Sequence, residues 1–195
     1  MSRATAPRRG RPRSAAADRA ILEAALVEYA ARGLDGLTVD AVATRAGVGK
    51  ATIYRRYPCK MDLVMAAATA ISTEQAPVPA GEGIRADLLT VLRHLRHLLL
   101  ETGAGPAVRQ LVADAPGHPD LARVHRAFIA ERRARTTRLI SEAIGRGELR
   151  ADADPDVVCD LAVAPLFHRY LVVGSPIPDA FLEAVVDAVV RAFAP

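Results

Sequence analysis

Between Gly47 and Lys60 the chain sets Lys50, Thr52, Tyr54, Arg55, Arg56 and Lys60 among apolar residues, in the run GVGKATIYRRYPCK. Ammonium and guanidinium groups attract phosphate, and a guanidinium bonds a guanine edge through two donors; Thr and Tyr hydroxyls donate to phosphate oxygens without a full charge. Val48, Ile53 and Tyr57 fall on the other side at helical spacing, so the cations occupy one face of a packed element. Ala51 on that face is small enough to bring the backbone close to base edges or a thymine methyl. The chemistry these residues offer is capture of a polyanion, with groups suited to a groove.

The charge distribution points the same way. Residues 1–60 hold twelve Lys or Arg against five Asp or Glu, a net of +7 in a chain whose total is +4, so the remainder is mildly acidic. A basic first third joined to an acidic remainder implies an anionic polymer as partner of the first part alone. Half the residues are hydrophobic, 4% are aromatic and Trp is absent. Such an Ala-, Leu- and Val-rich chain suits helices, so an all-α fold is expected. The N-terminus carries five Arg without the apolar stretch of a signal peptide, and no run of about 18 apolar residues exists to span a bilayer. These features imply a cytoplasmic protein with no membrane partner.

Residues 1–13, MSRATAPRRGRPR, contain no acidic residue and little to bury, and are expected to form a disordered basic arm. A first helix then runs to Gly33, and a second from about Val39 to Ala46, capped by Thr38 and closed at Gly47. A third runs from about Lys50 to Tyr57 and must end at Pro58. Small residues at Ala43, Ala46 and Gly47 let the second and third helices cross closely, which is helix-turn-helix spacing. A fourth runs from Met61 to around Thr73, where Lys60 and backbone amides can clamp a flanking phosphate. After the Pro/Gly break QAPVPAGEG come helices at 84–101, Pro106 to about Ala115, and Leu121 to Ile144. A C-terminal pair follows, the first kinked at Pro165. About nine helices are expected, divided as an arm (1–13), a helix-turn-helix domain (14–60) and a larger helical domain (61–195).

The segment LTVDAVATRAGVGKATIYRRYPCKMDLV resembles the DNA-binding signature of the TetR family of bacterial transcriptional regulators, and the match extends from Leu22 to about Val64. The resemblance implies a homodimeric regulator, most simply a repressor released from a palindromic operator by a small-molecule effector. It implies that Lys50, Ala51 and Arg55 face bases while Thr38, Thr52, Tyr54 and Lys60 hold phosphates; Arg56 joins them on the charge argument above. Gly49 stands where the family often has a capping Ser, Tyr57 where Phe is commoner, and Cys59 where Ser is usual, which weakens the cap of the fourth helix. In the arm, Arg9-Gly10-Arg11-Pro12-Arg13 resembles an AT-hook core, whose Arg9, Arg11 and Arg13 would lie in a narrow minor groove.

Polar groups entering an apolar helical core orient a ligand; Arg93, His97, Arg109, Asp114, His125, Phe128, Phe167 and His168 are the candidates. The wide apolar face of the last helices, with Phe167, Tyr170, Leu182, Val185, Val186, Val189 and Phe193, is expected to form a four-helix subunit interface across a two-fold axis. The five histidines lack a recognisable third ligand, and Cys59 and Cys159 form no ligand pattern, so no metal is expected. The sequence has no Gly-rich phosphate loop and no Gly-x-Ser-x-Gly, so neither enzyme activity nor a cofactor is expected. Two other classes are weighed: an architectural DNA-binding protein without an effector, and an enzyme or ligand-carrier that holds a helix-turn-helix.

Overall fold

Helix α1 (Ala15–Gly36) buries Ile21, Ala24, Ala25 and Tyr29 along one face. Its regular path breaks at Gly33, with φ 66° and ψ −176°, a conformation that a residue with a Cβ rarely adopts. The sequence places the helix end at this glycine; a further turn continues beyond it to Gly36. The computed structural model describes residues 15–73, 79 and 81–195, and the basic arm with Arg9, Arg11 and Arg13 lies outside them.

Helix α2 (Val39–Ala46) starts where the Thr38 hydroxyl oxygen accepts the Ala41 N–H at 3.2 Å. It ends where Gly47, in the left-handed region, returns its N–H to the Ala43 and Thr44 carbonyls. The Val48 N–H also reaches the Ala43 carbonyl, at 3.1 Å, completing a Schellman closure. Helix α3 (Lys50–Tyr54) is shorter than the span to Tyr57 expected from sequence. One more turn follows, held by the Tyr57 N–H on the Ile53 carbonyl at 2.8 Å, before Pro58. Helix α4 (Lys60–Thr73) completes the N-terminal group. Beyond it come α5 (Ile84–Glu101), α6 (Ala104–Asp114), α7 (Pro119–Gly145), α8 (Pro155–Phe167) and α9 (Asp179–Ala192). Every regular element among the described residues is thus helical.

Pro165 lies inside α8, and three residues later the chain widens into a π turn over His168–Val173, closed by Gly174 at φ 69°. A proline removes the donor for the carbonyl four residues back, and a wider turn accommodates such a local misfit without ending the helix.

Two cores hold these elements. The first gathers Ile21, Ala25, Tyr29, Val42, Ile53, Leu63 and Val64 with Ala104, Ala107 and Leu111 of α6 and Leu121 of α7. Ile53 alone, fully buried, contributes about 2 kcal/mol by its removal from water. The second gathers Leu88, Leu92, Ile140, Val158, Ala162, Leu166, Leu182 and Val186. The division expected at residue 60 therefore does not coincide with the packing. The first half of α4 and one side of α6 belong to the core of α1–α3.

The second core also takes up most of the residues expected at the subunit interface. Leu182 and Val186 are fully buried, and Tyr170, Val189 and Phe193 nearly so, all within the chain's own core against α5 and α8. The stripe on α9 is wide because it meets two neighbours in the same chain. Phe167 and Val185 are half-buried beside that core.

Candidate functional site

The cationic face is fixed from below by one buried carboxylate. Glu28 of α1 is 4% exposed; one of its oxygens accepts the Arg45 Nε–H of α2 at 2.8 Å and the other pairs with Arg32. This bond sets α2 against α1, and α3 is then wedged in place by Ile53 with Val48 and Tyr57 beside it. Lys50, Ala51, Tyr54 and Arg55 are exposed on the outer side, and Thr52 is half-buried. Lys50 reaches back to Asp40 of α2 at 2.6 Å, an exposed pair that positions the ammonium at little energetic gain. Thr38 uses its oxygen as the cap of α2, which leaves its O–H free to donate outward. Lys60 spends one donor on the Asp35 carbonyl, at 3.2 Å, tying the start of α4 to the turn before α2.

Arg56 departs from the expected face. It follows Ile53 by three residues, hence shares the buried side of the turn, and its guanidinium pairs with Asp18 of α1 at 2.7 Å with its side chain only 14% exposed. It is a tie between the recognition turn and α1, and is removed from the group of outward cations. Cys59 stands at the cap position of α4, where a weakened cap is expected. Its S–H donates to the Asp62 carboxylate at 3.2 Å, and the Asp62 N–H points back to Sγ at 3.5 Å, an N-cap contact made by sulfur in place of a hydroxyl oxygen.

A cavity of about 610 Å³ opens between α5, α6, α7 and α8. Val91, Leu95 and Leu98 of α5, Val108 and Val112 of α6, Phe128 and Leu139 of α7, and Val163 and Phe167 of α8 give it apolar walls. Polar groups enter from His94, His125, Arg132, Arg133, Thr136 and Asp160. Burial, helped by the charge of Arg126, pushes the His125 pKa down, so its imidazole is neutral near pH 7. Helix α6 faces two ways: Val108 and Val112 border the cavity, whereas Ala107 and Leu111 enter the core of α1–α4, and Ala104 at its start touches both.

A two-part helical chain with a cationic helix-turn-helix and a separate apolar cavity agrees with its relatives. The family "Bacterial regulatory proteins, tetR family" matches residues 21–67, and "Tetracyclin repressor-like, C-terminal domain" matches residues 78–189. The chain belongs to the TetR family. The relatives described next are transcriptional regulators, not enzymes. The uncharacterized HTH-type transcriptional regulator YdeS of Bacillus subtilis is 33% identical over 95% of this chain and 92% of its own. The DNA-binding transcriptional repressor TetR of Mycobacteroides abscessus is 35% identical over 93% of each chain. The crystal structure of the TetR family transcription regulator SCO0332 superposes with a TM-score of 0.68 at 30% identity, over 92% of this chain and 99% of that one.

Within this TetR-family chain, three of the eight residues expected in the pocket line the cavity: His125, Phe128 and Phe167. The other five lie elsewhere. Arg93 turns to Asp179 and Glu183 of α9, at 3.4 and 3.5 Å. His97 is exposed and pairs with Glu101 at 2.9 Å. Arg109 stacks 4.9 Å from the Tyr170 ring centre and donates to its carbonyl, Asp114 faces α1, and His168 is exposed. Arg93 and His97 fall outside the cavity because α5 is apolar around most of its girth and the cavity takes the side of Val91, His94, Leu95 and Leu98. His94, Arg132, Thr136 and Asp160 went unrecognised because the Arg-rich α7 reads as a solvated helix until α5 and α8 are packed against it. Among the described residues no helix is long and apolar enough to cross a membrane.

Proposed function

We propose that this TetR-family regulator is a repressor that binds a palindromic operator as a homodimer and leaves it when a small molecule fills the cavity. The observation that carries this reading is the double facing of α6, which borders the cavity on one side and the core of the DNA-binding unit on the other. A ligand that binds two arrangements of α6 with different affinity shifts the equilibrium between them. In this reading Lys50, Ala51 and Arg55 meet bases, and Thr38, Thr52, Tyr54 and Lys60 hold phosphates. The protein then acts in the cytoplasm, where its operator is.

The surface for the second copy is the outer side of α8 and α9, not the buried stripe. Val157 and Leu161 are about half exposed, with Ala164 one turn on, and Ala180, Ala184 and Ala188 form an exposed row on α9. Small residues in a row let two helices approach closely, and two such helices from each copy make a four-helix interface.

The test is selection of bound duplexes from a random library at physiological salt, with and without residues 1–13. An enriched palindrome is the expected outcome, with flanking A·T preference lost when the arm is removed. No enrichment, with binding that fades steeply as salt rises, would favour the effector-independent architectural reading. Tyr54, half exposed beside the cations, carries a narrower expectation. Tyr54→Phe removes one phosphate donor and weakens operator and random duplex alike, by about fivefold. Competition titration with single-base operator variants checks it; a loss confined to one base position would contradict the phosphate role.

A further inference from the structure

We propose that the cavity takes an amphipathic anion, a molecule with an apolar body and one carboxylate or similar group, and that Arg132 receives the anionic end. The inference rests on the ligand-release reading for its regulatory meaning, but the binding chemistry stands on the cavity alone. At about 610 Å³ the space falls among pockets that enclose drug-sized molecules. Its walls are aliphatic and aromatic, so the body of the occupant is apolar.

The charges in the lining decide the head group. Three arginines and one aspartate border the cavity. Arg133 is engaged with Asp156, at 2.7 Å, and with Asp160. Arg135 pairs with Glu131 at 2.5 Å. Asp160, the lining carboxylate, shares Arg133 with Asp156 and keeps most of its side chain in solvent, so it offers little to a cation inside the cavity. Arg132 is different. Its guanidinium is half-buried above the Phe128 ring, 5.4 Å from the ring centre, and among the described residues no carboxylate lies in ion-pair range of it.

Burial and the neighbouring Arg135 lower the pKa of Arg132 below its ordinary value, yet a guanidinium stays charged in proteins. The Glu131 charge offsets this only in part and makes no ion pair with Arg132, so a half-buried cation retains a desolvation cost that an entering anion offsets. The planar fork of Arg matches a carboxylate through two parallel N–H donors. The neutral His125 adds a hydrogen-bonding group on the same wall, while the Thr136 hydroxyl, one turn along α7, donates to the Arg132 carbonyl at 3.5 Å.

Three ligands with one body and three heads separate the possibilities: decanoate, decanol and decyltrimethylammonium, each below its micelle concentration. Calorimetric titration of the full-length protein is expected to show decanoate binding at least about tenfold tighter than decanol, the gain expected of a charged hydrogen bond, and decyltrimethylammonium binding no tighter than decanol. In Arg132→Gln the decanoate preference falls to about one. Decanol affinity, unchanged in that variant, reports that the cavity is intact, and Arg132→Lys recovers part of the preference. Equal affinities in the unmodified protein, a preference that survives Arg132→Gln, tightest binding of the cation, or no binding of any of the three would each overturn the proposal.

Operator release, measured on the same samples, keeps the two readings apart. Release by decanol as well as decanoate, without preference, leaves the repressor reading standing and removes the anion. Arg132-dependent binding of decanoate that leaves the operator occupied does the reverse.

Discussion

Gly105→Ala is expected to lower the stability of the folded chain by about 3 kcal/mol, the upper end of overpacking costs, and so its melting temperature by roughly 6–12 °C for a chain of this size. Gly105 lies in the first turn of α6, where that helix is pressed against the end of α5. A Cβ at this position would stand 1.9 Å from the Leu99 carbonyl oxygen, 2.7 Å from the carbon of that carbonyl and 2.6 Å from the Tyr170 hydroxyl. The tyrosine can swing aside. The Leu99 carbonyl cannot, because it is part of the backbone of α5, so relief requires α6 itself to move.

That movement would also carry Ala104 and Val108 out of the cavity wall. Loss of ligand affinity should therefore accompany the loss of stability. Gly103→Ala is the matched control: its added Cβ meets nothing within 4 Å and its φ of −66° is open to any residue. It should change stability by less than about 0.5 kcal/mol. Thermal and urea unfolding of both variants decide the matter, and a Gly105→Ala protein as stable as the parent would show that α6 is not fixed where the contact places it.

Much of this arrangement is legible in the amino-acid sequence because local signals fix it. Thr38 and Gly47 bracket α2 by capping chemistry that acts within four residues, and Pro58 limits the third helix for a steric reason equally local. The run from Leu37 to Val64 is readable as a DNA-binding signature because its spacing serves one rigid crossing. The side chains misplaced are those whose roles depend on what a helix meets. Arg56 looks like another groove cation until Ile53 fixes which side of the turn is inside. Leu182, Val186 and Val189 look like a subunit contact because a periodic stripe announces that it will be covered without saying by what. Gly105 carries no sequence signal of its contact with Leu99, since close approach of two backbones is a property of the pair.

The same limit hid the role of Asp114, which reads as a pocket residue and instead fastens the end of α6 to α1. Its carboxylate accepts the Leu34 N–H at 3.0 Å and the Gln110 side-chain N–H at 2.8 Å. It also lies beside the buried Tyr29 hydroxyl, whose pKa is pushed up by burial first and by the Asp114 charge second. Gly33 completes the joint, for any Cβ there would come within 2.7 Å of the Gln110 amide nitrogen. Asp114→Ala leaves the nearly buried Leu34 amide without its acceptor and takes the carboxylate away from Tyr29. An unsatisfied buried polar group costs about 1–3 kcal/mol, so a loss of about 2 kcal/mol is expected from the Leu34 amide. Asp114→Asn keeps an oxygen for Leu34 and should lose less than half of that.

The functional consequence follows from where α6 stands. Val108 and Val112 touch the cavity, so under the proposed ligand-release reading displacement of α6 by an occupant would reach the DNA-binding unit through Asp114 and its neighbours. At a temperature where the variant remains folded, Asp114→Ala should bind operator within a few-fold of the parent while its release by a cavity ligand is blunted, the ratio of operator affinities without and with ligand falling toward one. Parallel titrations of operator in the presence and absence of ligand measure that ratio. A variant that is destabilised yet fully responsive would assign Asp114 to stability alone and move the coupling to α4, the helix that joins Lys60 at the DNA face to the larger helical part.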